Sequence, residues 1–203
     1  MKKIRPRFFK YKIKVIKLRM LKKIYKLDFE GYYSAKTLNL ENEDVTGYEP
    51  CYNFKRLLKK CDIKNVDTFL DIGSGKGCAL YYAKKFPFKK IDGIEISSYL
   101  ANVSRENVKL LKDKRMSIYN EDARKFSKYE NYNYFYMYNP CKEVACDLIL
   151  NNVMKSYEKN KRTITIIYQT PKYKKLFINE GFKEIYSNKY ESIMRLYLNE
   201  EEK

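Results

Sequence analysis

The sequence predicts an α/β fold, a mostly parallel sheet with helices on both faces. Three observations carry this. From residue 66 onward, short apolar runs rich in β-branched and aromatic residues alternate with segments of helical periodicity, the pattern of strands joined by helical crossovers. The chain closes on two successive strand-like runs in "FKEIYSNKYESIMRLYL", which makes the last pair antiparallel around a Ser-Asn turn. A glycine-rich stretch, "FLDIGSGKGCAL", joins the first of these strands to the first crossover helix, where ligands collect at the carboxyl ends of parallel strands.

In chain order, the spacing predicts an amphipathic helix over residues 9–27. Phe9, Ile13, Ile16, Met20, Ile24 and Leu27 fall on one side, and Lys12, Arg19, Lys22, Lys23 and Lys26 on another. "YKIKVIK" also alternates with period two, so a strand start stays open there. The helix reads as a stripe packed on the main domain, with a nucleic-acid arm or a membrane-surface helix as the functional alternatives. Residues 28–50, acidic and turn-rich, read as a linker or a lid over a site. "YNFKRLLKKCDI" follows as a short helix, "VDTFLDI" as a strand, "GCALYYAKKF" as a helix and "KKIDGIEI" as a strand. "SSYLANVSRENVKLLKD" is a longer helix capped by Ser97 or Ser98. Then come "RMSIYN" (strand), "EDARKFSKY" (helical turn) and "YNYFYMYN" (strand). "KEVACDLILNNVMKSYEK" is a helix with Val144, Leu148 and Val153 among its apolar positions. "TITIIYQ" is a strand, and "KYKKLFINEG" a helix ended by glycine. The chain divides into a basic segment, 1–30, and a domain, 31–203, whose residues 31–65 form a lead-in or lid.

Composition limits the chemistry. With 203 residues and 44% hydrophobic content, the chain can bury a proper core. The five cysteines form no C-x-x-C pair and read as reduced, packed thiols of a cytoplasmic protein. There is no histidine, so the usual zinc sites and the usual neutral-pH general base are missing. No apolar run approaches the ~18 residues of a membrane span. The net charge is +18, and the first thirty residues carry twelve Lys+Arg against two acids, a net +10. An anionic partner for residues 1–27 follows from that concentration.

The loop spacing is D-x-G-x-G-x-G, with Asp71, Gly73, Ser74, Gly75 and Gly77. A dinucleotide fingerprint starting at Gly73 requires glycine or alanine where Cys78 stands. A phosphate loop requires glycine where Leu70 stands, and Ser or Thr where Gly77 stands. Both phosphate patterns fail. Glu95, at the end of the next strand, is placed to accept both hydroxyls of a ribose. Asp122, after the third strand, is placed to accept from an adenine amine. Adenosine without phosphate describes S-adenosylmethionine.

"LDIGSGKG", "IDGIEIS", "NEDARKF" and "FYMYNPC" occur in the order and spacing of the class I S-adenosylmethionine-dependent methyltransferases, and residues 45–198 resemble that superfamily. "GYEPCYNFKRLL" and "YNP" are similar to a group of small bacterial methyltransferases of unassigned substrate. "DIGSGKG" also resembles the non-SET nucleosomal lysine methyltransferases over the glycine loop. The resemblance implies a Rossmann-like seven-stranded sheet of order 3-2-1-4-5-7-6, strand 7 antiparallel. It implies that Asp71 approaches the ligand's amino group, and that Gly73 and Gly75 admit its methionine part. Glu95 would bind the ribose and Asp122 the adenine edge, with Ile96 and Ala123 beside the ring. Tyr48, Glu49 and Pro50 would close the methionyl side, and Tyr138, Asn139 and Pro140 would face the methyl group and the acceptor. "NPC" keeps the Asn and first Pro of an amino-methyltransferase motif but lacks its second Pro and aromatic, which points to a nitrogen acceptor, protein lysine or RNA. For a lysine, Glu49, Tyr138 or a water chain would take the proton. The alternative class is a non-catalytic module on the same fold that binds S-adenosylmethionine or nucleic acid.

Overall fold

A computed structural model describes residues 6–52 and 54–198, with side chains from Ile13 onward. The elements are α1 (Pro6–Tyr25), β1 (Tyr33–Ser34), β2 (Gly47–Tyr48), α2 (Phe54–Leu58), β3 (Thr68–Ile72), α3 (Cys78–Ala83), β4 (Lys90–Ile94), α4 (Ser98–Leu111), β5 (Met116–Tyr119), β6 (Tyr134–Tyr138), α5 (Glu143–Lys159), β7 (Ile164–Gln169), α6 (Lys174–Asn179), β8 (Lys183–Asn188) and β9 (Glu191–Leu196). The main sheet has seven strands in the order β5-β4-β3-β6-β7-β9-β8, and β1 pairs with β2 in a separate two-stranded sheet. β3 runs parallel to both neighbours, with Asp71 opposite Gly93 of β4 and Tyr136 of β6. β9 is antiparallel to β7 and β8. Counted from β3, this is the order 3-2-1-4-5-7-6 implied by the sequence. The order reverses at β3, so a crevice opens beyond the carboxyl ends of β3, β4 and β6.

β3, β4, β6 and β7 are buried along nearly their whole length, as strands covered on both faces must be. One apolar layer joins Phe54, Phe69, Leu80, Phe88, Tyr134 and Tyr136; the other joins Leu70, Phe135, Ile149, Val153, Ile166 and Phe177. Ser97 caps α4, its hydroxyl accepting from the Leu100 amide at 3.4 Å.

Three local readings are refined or corrected. In α5 the buried face is Ala145, Cys146, Ile149, Leu150 and Val153, while Val144 and Leu148 point outward, 67% and 46% exposed. "EDARKFSKY" forms a turn followed by a short 3-10 helix at Tyr129–Asn131, because Arg124 binds Asp122 and holds that stretch out of helical geometry. The final hairpin turns at Lys189 and Tyr190, as Ser187 and Asn188 still pair with β9.

The largest difference concerns α1. It is a helix, as periodicity predicts, yet it packs through Leu18 and Leu21, 2% and 8% exposed. Ile13, Ile16, Met20 and Ile24 remain 51–59% exposed on the outer side; Phe9 of the same predicted stripe lies outside the residues whose side chains are described. After α1, Lys26 takes a left-handed φ of 60°, and the chain turns so that Leu27 and Phe29 enter the core. Lys76 of the glycine loop fastens this turn. Nearly buried, its ammonium donates to the Glu30 carbonyl at 2.7 Å, Asp28 Oδ2 at 3.3 Å and the Tyr33 hydroxyl at 3.3 Å. Asn107 of α4 closes the joint, accepting from the Asp28 amide and donating to the carbonyls of Asp28 and Lys76, each at 2.8 Å.

Candidate active site

The glycine loop leaves β3 and is tied at once to the end of β4: the amides of Gly73 and Ser74 both donate to the Ile94 carbonyl at 2.9 Å. One step on, the Gly75 amide donates to Glu95 Oε2 at 2.7 Å, and the Ser97 amide to Oε1 of the same carboxylate at 2.8 Å. Glu95 is 6% exposed. Burial raises its pKa above the ordinary glutamate value, against the amide bonds that favour its charge. Each carboxylate oxygen keeps a lone pair, so Glu95 can brace the loop and still accept from a ligand hydroxyl.

Two cavities flank this loop. The first has Ile72, Ile94, Ile96, Ala123, Ala145 and Ile149 on its apolar walls, with Glu95, Glu121 and Asp122 among its carboxylates. Leu38, Leu40, Glu43 and Val45 of the lead-in segment cover it. The cover is clasped to the far wall by Arg124, which donates to Glu43 Oε2 at 2.6 Å and to both oxygens of Asp122 at 2.9 Å. Asp122 is partly buried, which works against its charge, but Arg124 prevails and holds its carboxyl below the usual aspartate range.

The second cavity shares Gly47, Gly73 and Pro140 with the first and adds Tyr48, Glu49, Asp71, Ser74, Tyr138 and Asn139. Asp71 is 3% exposed, and no hydrogen bond to its carboxylate occurs among the described residues. Burial, then the charge of Glu95, pushes its pKa well above the ordinary value. Asn139 ends β6 at a left-handed φ of 42°, a conformation costly for a side-chain-bearing residue and concentrated at functional sites. Its carbonyl accepts from the Thr46 hydroxyl at 2.6 Å, while its Oδ1 is buried without a partner. Burial and the neighbouring Glu49 carboxylate push the Tyr138 phenol up.

Most of the residues singled out from sequence line these cavities. Ile96, Ala123, Glu95 and Asp122 sit in the first, Gly73 and Pro140 between the two, and Tyr48, Glu49, Asp71, Ser74, Tyr138 and Asn139 in the second. Three are placed elsewhere. Gly75, at φ 54°, is covered by the Tyr48 ring, and a Cβ there would collide with it. The Tyr48 ring alone is thus enough to require glycine there. Gly77 is the N-cap of α3 and packs against Ser104, whose hydroxyl a Cβ would meet at 2.6 Å. Pro50 lines a groove beneath α1 with Val15, Leu18 and Tyr32. Asp122 lines its cavity with both oxygens held by Arg124. Sequence reasoning passed over Arg124, Glu43, Leu38, Leu40, Thr46, Cys51, Thr170 and Lys172, all at the cavities or their cover. The arginine two residues after Asp122, spaced to fork onto its carboxylate, is the one signal that could have been used.

Together the cavities suit a ligand with a flat apolar end, vicinal hydroxyls near Glu95 and a cation near Asp71. Gly73 supports the fit: its bare backbone, at φ 76°, stands where the cavities meet, and a Cβ would lie 2.6 Å from Pro140.

Comparison with known proteins agrees with this geometry. Residues 40–195 match the model of a family described as Histone methylation protein DOT1. A search among curated proteins found no match. Similar solved structures include an RNA methyltransferase from Salinibacter ruber in complex with S-adenosyl-L-homocysteine (TM-score 0.53, 14% identity, 75% of this chain and 94% of that one). A SAM dependent methyltransferase from Aquifex aeolicus gives a TM-score of 0.53 at 15% identity, covering 80% of this chain and 97% of that one. The StiE O-MT structure, residues 942–1257, gives 0.52 at 18% identity over 64% of this chain, which spans half of that one. At these identities the likeness is one of fold.

Proposed function

Since the chain belongs to the DOT1 histone-methylation family, a family of S-adenosylmethionine-dependent methyltransferases, we propose that it methylates a nitrogen, the side-chain amine of a protein lysine. The observation that carries this reading is the buried, unpartnered Oδ1 of Asn139 at the second cavity. An amide oxygen taken out of water without a partner costs free energy, and an amine arriving there supplies the missing N–H. Bound S-adenosylmethionine supplies an activated methyl group on a sulfonium, open to in-line displacement.

The residues of the chain hold and orient. The walls around Ile72, Ile96 and Ala123 take the adenine, Glu95 accepts the ribose hydroxyls, and Asp71 faces the amino group. Asp71 carries a charge that burial disfavours, and a neighbouring ammonium offsets that penalty. At the acceptor end, the Asn139 Oδ1 and its positive-φ backbone aim the incoming nitrogen, and Tyr138 walls the channel. A lysine arrives as an ammonium with a reference pKa of ~10.4 and must lose a proton before it attacks. Glu49, which lines the same cavity, is the carboxylate to receive that proton. Placing the nitrogen ~3 Å from the methyl carbon supplies much of the rate.

The test is incubation with methyl-labelled S-adenosylmethionine and cell extract, the label then being sorted by protease and nuclease sensitivity. Protease-sensitive label, reduced about 10²-fold by Asn139→Ala through lost alignment, is the expected result. Nuclease-sensitive label would assign the acceptor to RNA. Ligand binding without transfer would favour the non-catalytic module.

A further inference from the structure

We propose that the outward face of α1, with the basic groove beside it, docks on an anionic lipid bilayer. The observation is the reversal of the helix. Leu18 and Leu21 satisfy its packing on the core, and Ile13, Ile16, Met20 and Ile24 form a separate stripe, each more than half exposed. At 3.6 residues per turn these four positions stay within one narrow sector of the helix, on a line ~16 Å long. Lys17 and Lys23, both exposed, border that sector on its two sides. On the Lys17 side the surface continues into a shallow groove of Lys17, Lys55 and Lys59 with Tyr52 and Tyr82.

Charge complementarity selects the occupant. Residues 1–30 carry a net +10 and the chain +18. A second copy of the chain would bring two lysine-bordered faces together, so like charges oppose that pairing. RNA would pair with the lysines but leave four large apolar side chains in water. An anionic bilayer takes both: the stripe enters the boundary between headgroups and acyl chains, and the lysines reach back to the phosphates. Apolar residues bordered by lysine on both sides are the arrangement of helices that lie in that plane. The helix is fixed to the domain by the Lys76–Asp28–Asn107 joint, so docking orients the whole domain on the surface.

The test is co-sedimentation of the full chain with vesicles of phosphatidylcholine alone or enriched in phosphatidylserine. Two variants accompany it, Ile13→Ser/Ile16→Ser/Ile24→Ser and Lys23→Glu/Lys59→Glu, each with an unchanged melting temperature to show that the fold is kept. The expected result is binding to the phosphatidylserine vesicles at ~0.1 M salt, lost at ~1 M where screening acts within ~3 Å. Each variant should bind at least ~10-fold more weakly. Absence of binding at low salt overturns the proposal, as does serine substitution without effect. Self-association abolished by the serine variant, without vesicle binding, would give the stripe to a second copy. RNA binding weakened by the glutamate variant alone, again without vesicle binding, would give the groove to nucleic acid.

Discussion

The Gly75 amide donates to Oε2 of Glu95 at 2.7 Å, across the gap between the loop after β3 and the end of β4. One carboxylate thus holds the shape of the glycine loop and forms the polar wall of the first cavity. Removing it leaves the Gly75 and Ser97 amides without acceptors, and each buried unmet amide costs about 1–3 kcal/mol. Glu95→Ala is therefore expected to lower stability by at least ~1 kcal/mol in urea titration. Unchanged stability would show that the loop keeps its shape without this brace.

Burial of Asp71 sets folded stability against the binding role proposed for it. Its folded pKa is raised, first by burial and then by Glu95. A carboxyl raised in this way favours the folded state below its unfolded pKa of ~3.9, and that advantage is lost as pH rises. At pH ~7 the ligand-free Asp71→Asn protein should be more stable than the natural one by about 1–3 kcal/mol, and at pH ~3 nearly equal to it. Its affinity for S-adenosylmethionine should fall ~10- to 100-fold, the loss of a charge-assisted contact. Denaturant titrations at the two pH values and calorimetry measure both effects. A less stable Asn variant at neutral pH would contradict the assignment.

Lys76 is a buried cation turned away from both cavities, toward Asp28, Glu30 and Tyr33. Burial disfavours the Asp28 charge, but the Lys22 hydrogen bond, the Lys76 charge and the Glu30 amide outweigh it and lower its pKa. That lowered carboxyl contributes stability above the unfolded value of ~3.9 and loses it as pH falls through the folded value. Lys76→Met is expected to cost about 1–3 kcal/mol at neutral pH, with the difference narrowing on acidification below pH ~3.9. Thermal melts across that range test the sign. A difference that widens in acid would contradict the linkage.

The Glu43–Arg124–Asp122 clasp holds the cover over the first cavity. Glu43 is nearly half exposed, and such a pair contributes up to ~1 kcal/mol. Glu43→Gln should raise the dissociation rate of S-adenosylhomocysteine by up to ~5-fold, and added salt should reproduce the effect in the natural protein. Stopped-flow displacement reads this directly. A dissociation rate indifferent to both changes would separate the clasp from ligand retention.

The sheet was legible because its signals are local and repeated. The apolar runs at 68–72, 90–94, 134–138 and 164–169 alternate with helical segments, and a loop as bare as Asp71–Gly77 locates the carboxyl end of the first of them. Glu95 followed from its place at the next strand end. Hidden features depend on distant partners. Nothing near Gly75 announces that the Tyr48 ring covers it, or that Lys76 faces the chain after α1. Residue types cannot show which of two apolar faces of α1 is buried, since Leu18 and Leu21 offer a second stripe beside the more regular one. Arg124 escaped notice because a lysine- and arginine-rich chain offers many cations, and only the fold reveals which one meets two carboxylates.

The most direct measurement is calorimetric titration of S-adenosylmethionine into the natural protein and into Glu95→Ala, with stability recorded in parallel. Saturable binding, weakened by ~1–3 kcal/mol in the variant under conditions where it remains folded, is the result predicted for a carboxylate that receives the ribose hydroxyls. Equal affinity in a folded variant would contradict the placement of the ligand along the β3 loop, and no binding to the natural protein would contradict the methyltransferase assignment itself.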